Sequence, residues 1–216
     1  GKTALNSILD LVRDGERQIL IGTQMLAKGH HFPNVTLVGL IDVDSALFSS
    51  DFRAIERLGQ LITQVAGRAG RAEKPGTVIL QTHQPEHPLL QQLLSQGYGA
   101  FADTLLQERE AVKLPPYSYL VILHAEGRSL VEINDFLTEV KQSGTKLPSH
   151  HPVQLIGPLP SPLSRKKGYY RSQLIIQATH RQELQRWLPE LLNRIAENKW
   201  VKKVKWTIDV DPLELS

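Results

Sequence analysis

Residues 113–117 read KLPPY, and the double proline constrains the fold more than any other feature. Proline has no N–H to continue a helical ladder, and it pushes the residue before it out of the α region. Any helix arriving here ends, and the residue pattern changes across the break. Before it, residues 4–13 carry Leu5, Ile8, Leu9 and Val12 at helical spacing, and Gly15 stops the run. Residues 18–22 (QILIG) and 35–43 (VTLVGLIDV) read as strands. The second is so continuously apolar that it predicts a parallel strand buried on both faces. Residues 54–65 predict a helix, 77–82 (TVILQT) a third strand, and 87–96 and 98–110 two further helices. Strands alternating with helices predict an open α/β sheet. Three strands make a thin sheet, which points to an incomplete unit.

After the break the order differs. Residues 117–126 alternate as a strand, 130–141 have helical spacing, and 153–158 form a strand followed by a polar loop over 161–168. Residues 169–179 are a strand, 181–196 a helix and 201–210 a closing strand. That is β-α-β-β-α-β, the ferredoxin-like plan. The expected domains are therefore 1–112, a partial parallel-sheet unit with trailing helices, and 113–216, an α+β unit.

Composition narrows the function classes. Over 216 residues, 41% are apolar and 22% charged, as in ordinary globular domains. No apolar run approaches the roughly 18 residues that a membrane helix needs, and the first sixteen residues do not read as a signal peptide. There is no cysteine, which excludes disulfides and thiolate metal sites. The net charge of +3 hides an asymmetry: residues 1–112 hold ten basic against twelve acidic side chains, and 113–216 hold fifteen against ten. A nucleic-acid contact is sought first in the second half.

Residues 64–76, QVAGRAGRAEKPG, set Arg68 and Arg71 among Gly67, Ala69 and Gly70. Small residues let a backbone approach a ligand, and the guanidinium fork suits phosphate oxygens. The pair predicts a polyphosphate partner. The opening GKT resembles the tail of a phosphate-binding loop, but such a loop needs an upstream strand and glycine so that successive N–H groups can wrap the phosphates. The loop serving Arg68 and Arg71 is expected outside this chain. In LVGLIDVD, Asp42 and Asp44 could hold magnesium or simply start a loop; with no phosphate loop beside them, the second reading is the expectation. His83 and His87 have helical ligand spacing, but Pro85 and Pro88 oppose a helix there. The pairs His30–His31 and His150–His151 lack a third ligand. No metal site is predicted. Residues 22–38, GTQMLAKGHHFPNVTLV, place polar groups between two strands, where α/β sheets bind ligands.

The second half carries its own signature. Residues 164–173, SRKKGYYRSQ, place Arg165, Lys166, Lys167 and Arg171 around Tyr169 and Tyr170, at the expected hairpin between the second and third strands. Cations that track phosphates beside rings that stack on bases predict single-strand binding; the plainer alternative is a solvated hairpin tip. Thr179-x-x-Gln182 predicts a capping box. It would open a helix whose Arg181 and Gln185 could take a carboxylate.

TQMLAKGHHFP resembles motif V and QVAGRAGR motif VI of superfamily 2 helicases. With DVDSALFSSDFRAIERLGQL between them, then THQPEHPLL, ER-x-x-x-x-LPPY and the closing KVKWTIDVDP, the chain resembles the PriA-type primosomal replication helicases over essentially its whole length. The resemblance implies the second RecA-like lobe plus a C-terminal domain, from an ATP-dependent 3′-to-5′ DNA helicase of replication restart. ATP and magnesium would be shared with a first lobe outside this chain, and zinc would belong to the parent protein. Arg68 and Arg71 would be arginine fingers, and Gln64 would contact the γ-phosphate or its water. Gly67 and Gly70 would pack against the nucleotide, and Thr23, Gln24, Lys28 and Gly29 would couple DNA to the ATP site. His31 stands where many relatives carry Asp. The implied partners are DNA forks and single strands, the acidic tail of single-stranded-DNA-binding protein at Arg181 and Gln185, and other primosome proteins. The implied location is the bacterial cytoplasm, on the nucleoid. Another fork-remodelling translocase, and a non-catalytic nucleic-acid-binding module, remain the competing readings.

Overall fold

The computed structural model describes residues 10–12, 16, 18–23, 35–69, 76–197, 199–200 and 203–213. The chain divides into two compact units, Gly1–Thr104 and Leu105–Ser216.

In the first unit, β1 (Leu37–Leu40) and β2 (Thr77–Leu80) pair in parallel, with Leu37 opposite Thr77 and Leu40 opposite Leu80. A short helix, α1 (Asp44–Leu47), follows β1. Helix α2 (Ala54–Ala69) packs against both strands and buries Leu58, Ile62 and Val65. Those three recur at i, i+4 and i+7, one stripe of a helix. The helix outruns its predicted end at residue 65 because Ala66 and Ala69 sustain it. Burial of both faces of β1 was expected and is not found: Leu37 is 59% exposed and Ile79, on the neighbouring strand, 53%. A strand face is buried only where something covers it, and α2 covers one. Residues 18–22, expected as a strand, lie outside any strand; β1 pairs with β2 in a two-stranded sheet. An apolar run without a ladder partner stays irregular. Of the helix expected over 4–13, residues 10–12 are described and helical.

Helix α3 (Pro88–Ala111) starts on proline, which suits the first helical position. At Gly97 the backbone leaves helical geometry (φ 83°, ψ 178°), so two helices meet end to end there. This matches the expected pair, and only glycine takes that φ without strain. Phe101 is 1% exposed and covers Gly59, where a Cβ would lie 2.3 Å from the ring.

The second unit is a four-stranded antiparallel sheet in the order β4-β5-β3-β6, built from β3 (Tyr119–Gly127), β4 (Val153–Lys166), β5 (Tyr169–Ala178) and β6 (Lys205–Val210). With α4 (Leu130–Thr145) after β3 and α5 (Arg181–Ala196) after β5, the ferredoxin-like plan expected from the sequence is present. Val121, Leu123 and Ala125 of β3 and Leu174, Ile176 and Ala178 of β5 share one core with Phe136 of α4 and Leu191 of α5. Residues at even and odd positions face opposite sides of a sheet, so Ile122, His124 and Glu126 lie on the face away from that core.

Three expectations need correction here. The predicted loop over 161–168 is mostly strand: β4 runs to Lys166, with irregular register between Ile156 and Leu159 and between Pro160 and Arg165. Its prolines are tolerated because β4 is an edge strand. The closing strand begins at Lys205 rather than 201. The capping box at Thr179 does not form. Helix α5 begins one residue later than such a box requires, so His180 is the N-cap and makes no side-chain cap bond; the Thr179 hydroxyl instead pairs with His180 Nδ1 at 3.0 Å. A side-chain N-cap bond does form at Ser129, whose Oγ accepts from the Glu132 N–H at 3.3 Å.

Candidate functional site

The arginine motif lies at the carboxyl end of α2. Gln64 is half-buried on the helix, and Arg68 lies one turn further along it. Gly67 is exposed, with nothing within 4 Å of where a Cβ would sit. An open backbone here suits the close approach of a ligand. Gly70 and Arg71 lie outside the described residues, as do Gln24, Lys28 and Gly29. Thr23 is described and exposed. It lines an open, largely apolar cleft of about 670 Å³ with Leu40, Asp42, Ser45, Arg57 and Leu61.

Asp42 and Asp44 behave as loop-starters. Asp42 Oδ1 accepts from the Ser45 N–H at 3.3 Å. Asp44 accepts from the Thr82 hydroxyl, from the His83 N–H at 2.9 Å and from His83 Nδ1 at 2.7 Å. Those three donors, the Thr82 hydroxyl foremost, hold its carboxyl below the ordinary value of 3.8. The carboxylate fastens the segment after β1 to the segment after β2, which leaves it ill-suited to a cation. His87 stands edge-on to Phe48, with ring centroids 6.3 Å apart. Among the described residues, no group of three or more His, Asp or Glu side chains could hold a metal ion.

In the second unit the cationic hairpin is explicit. Lys166 pairs with Tyr169 across a two-residue turn, Lys167–Gly168, with φ of 49° and 85°. Both positive values fit the turn that matches strand twist. Glycine accepts this readily, whereas lysine is held in a sparsely populated conformation. Arg165, Lys166 and Lys167 are all exposed. The two tyrosines part company. Tyr170 packs against the helix-side core, with the Arg165 guanidinium 5.1 Å from its ring centre. Tyr169, on the other face, is 38% exposed, and Arg128 lies 5.7 Å from its ring centre. Arg171 pairs with Glu126 at 3.7 Å. Beside them, burial pushes the half-buried His124 below its ordinary value of 6.5; Arg171 adds to the shift and Asp209 opposes it.

At the opposite end of the sheet, Arg181 reaches Asp211 at 3.6 Å and both stay largely exposed; Gln185 is exposed one turn along α5. Sequence reasoning missed Arg128, Glu126 and Asp211, since each meets its cluster across segments far apart in the sequence. An arginine directly after a strand, as in EGRS at 126–129, is the one local signal for Arg128.

Comparison with known proteins places both units. Residues 2–73 match the helicase conserved C-terminal domain, and residues 110–213 the primosomal protein N C-terminal domain. The fold and these matches define a helicase C-terminal region followed by a primosomal terminal domain. Over essentially its whole length the chain is similar to replication restart proteins PriA. It is 50% identical to the replication restart protein PriA of Haemophilus influenzae, over 100% of this chain and 29% of that protein. It is 36% identical to those of Bacillus subtilis, over 98% of this chain and 26% of that one, and Synechocystis, over 99% and 25%. The chain thus spans about a quarter to under a third of the length of these relatives.

Proposed function

We propose that this chain is the second-lobe and C-terminal portion (expected as residues 1–112 and 113–216) of an ATP-dependent, 3′-to-5′ DNA helicase that restarts stalled replication forks. The observation that carries the reading is the pairing, on one chain, of the arginine-bearing α2 with the ferredoxin-like unit, each matched by its own family description. The exposed backbone at Gly67 fits the approach of a nucleotide's phosphates. Arg68 and Arg71 would hold the transferring γ-phosphoryl group, with Gln64 positioning it or the attacking water. Gly70, with Gly67, leaves room for the nucleotide, and Thr23, Gln24, Lys28 and Gly29 link DNA contact to the site. Bound ATP and magnesium supply the phosphoryl-transfer chemistry. Asp44 is already occupied by its own donors, so the magnesium ligands belong to the first lobe, as the parent's zinc belongs to other segments. This chain by itself is then expected not to hydrolyse ATP.

The DNA contact in the second unit is assigned to Arg165, Lys166, Lys167, Tyr169 and Arg171, with Tyr170 bracing Arg165 from below. The strained Lys167 supports this, because a turn chosen for stability alone would carry asparagine or glycine there. Arg181 and Gln185 are assigned to the acidic tail of single-stranded-DNA-binding protein, whose carboxylates would displace Asp211. Other primosome proteins and a cytoplasmic, nucleoid-associated location complete the reading; no helix among the described residues is long and apolar enough to cross a membrane.

The test is Arg68→Ala in the full-length protein. DNA-stimulated ATP hydrolysis should fall by about 10³-fold or more, as for other arginine fingers, with DNA affinity kept. Hydrolysis that persists would make the motif structural and the chain a nucleic-acid-binding module.

A further inference from the structure

The antiparallel order gathers one end of every strand: the carboxyl ends of β3 and β4 with the amino ends of β5 and β6. The hairpin closes β4 and opens β5 at that end. Arg128 follows β3 there, and Lys205 opens β6 there, two residues after Lys203. We propose that the hairpin is half of a wider anion-binding surface, and that Arg128, Lys203 and Lys205 form the other half. The ligand class is the phosphodiester backbone of a single nucleic-acid strand. The inference rests on reading the hairpin as a DNA contact, and extends it across the sheet.

The register supplies the argument. Lys205 lies opposite Glu126, which lies opposite Arg171. One carboxylate is thus shared by two cations, at 3.9 Å and 3.7 Å, and a positive surplus remains. Strands lie about 4.8 Å apart, so this row spans about 10 Å, within reach of one bound strand. Lys203 sits 5.3 Å from the centre of the Trp200 ring, and the Glu132 carboxylate is 4.0 Å away. The side chains of Lys203 and Lys205 are 62% and 77% exposed. Exposed ion pairs this long contribute little, so the ammonium groups can exchange a carboxylate for a phosphate at small cost. Arg128 lies over Tyr169, the more outward of the two hairpin rings, and so joins the two halves.

The test measures binding of a labelled single-stranded oligonucleotide to the 216-residue chain by anisotropy across a salt series. Two triple variants are compared with the parent, Arg128→Ala/Lys203→Ala/Lys205→Ala and Arg165→Ala/Lys166→Ala/Lys167→Ala. Each lost phosphate contact should lower the log–log salt slope by about 0.7, so each triple should lower it by about 2. A Lys203→Arg/Lys205→Arg variant should keep the parent slope, and circular dichroism reports whether each variant folds. A fall with both triples supports the shared surface. A fall with the hairpin triple alone overturns the inference and leaves the hairpin reading standing. No fall with either overturns both, and a fall with the Arg128/Lys203/Lys205 triple alone overturns the shared surface.

Discussion

Strand β3 contains LVIL and strand β1 contains LVGL. In β3 the residues Val121, Ile122 and Leu123 are all fully buried; in β1 Leu37 is 59% exposed and Val38 half-buried. Two nearly identical apolar runs therefore meet opposite fates. The central position of β3 explains it. It is flanked on both sides, by β5 and β6, and α4 packs over the face that carries Val121 and Leu123, whereas β1 has β2 beside it and α2 over one face. Burial belongs to the neighbourhood rather than to the run itself, and only buried area stabilises.

The comparison can be broken by truncation. Phe136→Ala should cost about 3–5 kcal/mol, since it empties a fully buried site. Ile79→Ala, on a half-exposed strand position, should cost less than about 1 kcal/mol. Urea unfolding of each variant checks this; equal losses would mean that β2 is as well covered as the second unit's core.

Overpacking sharpens the picture, because each unit has one helix crossing at a glycine. A Cβ on Gly59 would meet Phe101 at 2.3 Å, and one on Gly144 would meet Leu155 at 2.8 Å and Trp187 at 3.1 Å. Gly59→Ala and Gly144→Ala should each cost about 1–3 kcal/mol. Thermal unfolding should show similar shifts, so the first unit, open at its strands, is as tight as the second at this helix contact.

The smallest effects come from pH, and they share a sign but differ in window. His124 is held below 6.5 in the fold, so the unfolded chain takes up the proton first. Stability should fall as pH drops below about 6.5, and His124→Gln should flatten that part of the profile. Arg171 and Asp209 face the ring and set the size of the step. Asp44 is held below 3.8, so its contribution is present above that value and lost as pH falls beneath it. Asp44→Asn should lower the neutral plateau and flatten the acid limb. Unfolding midpoints followed by circular dichroism at stepped pH separate the two windows.

Much of the second unit was legible beforehand because its signals are local. Alternation of period two, helical spacing and the KGYY hairpin each fit within a dozen residues. The division of α3 at Gly97 was equally legible, since a glycine between two periodic runs marks a break. The failures were non-local. Residues 18–22 have strand composition but no partner. Thr179 begins a plausible box, yet the helix starts a residue later, leaving Glu183 as its third residue, where it accepts the His150 N–H at 2.8 Å.

By itself the sequence determined the break at 113–117, the order of elements on either side, and which residue types the arginine motif and the hairpin present. These follow from backbone sterics and short-range periodicity, which each residue carries with it. Only the tertiary structure decided that Tyr169 faces outward while Tyr170 braces the core, that Glu126 is shared by Arg171 and Lys205, and that Arg128 joins the hairpin. Those outcomes depend on register and strand order, and both are settled by pairing between segments that the chain keeps tens of residues apart.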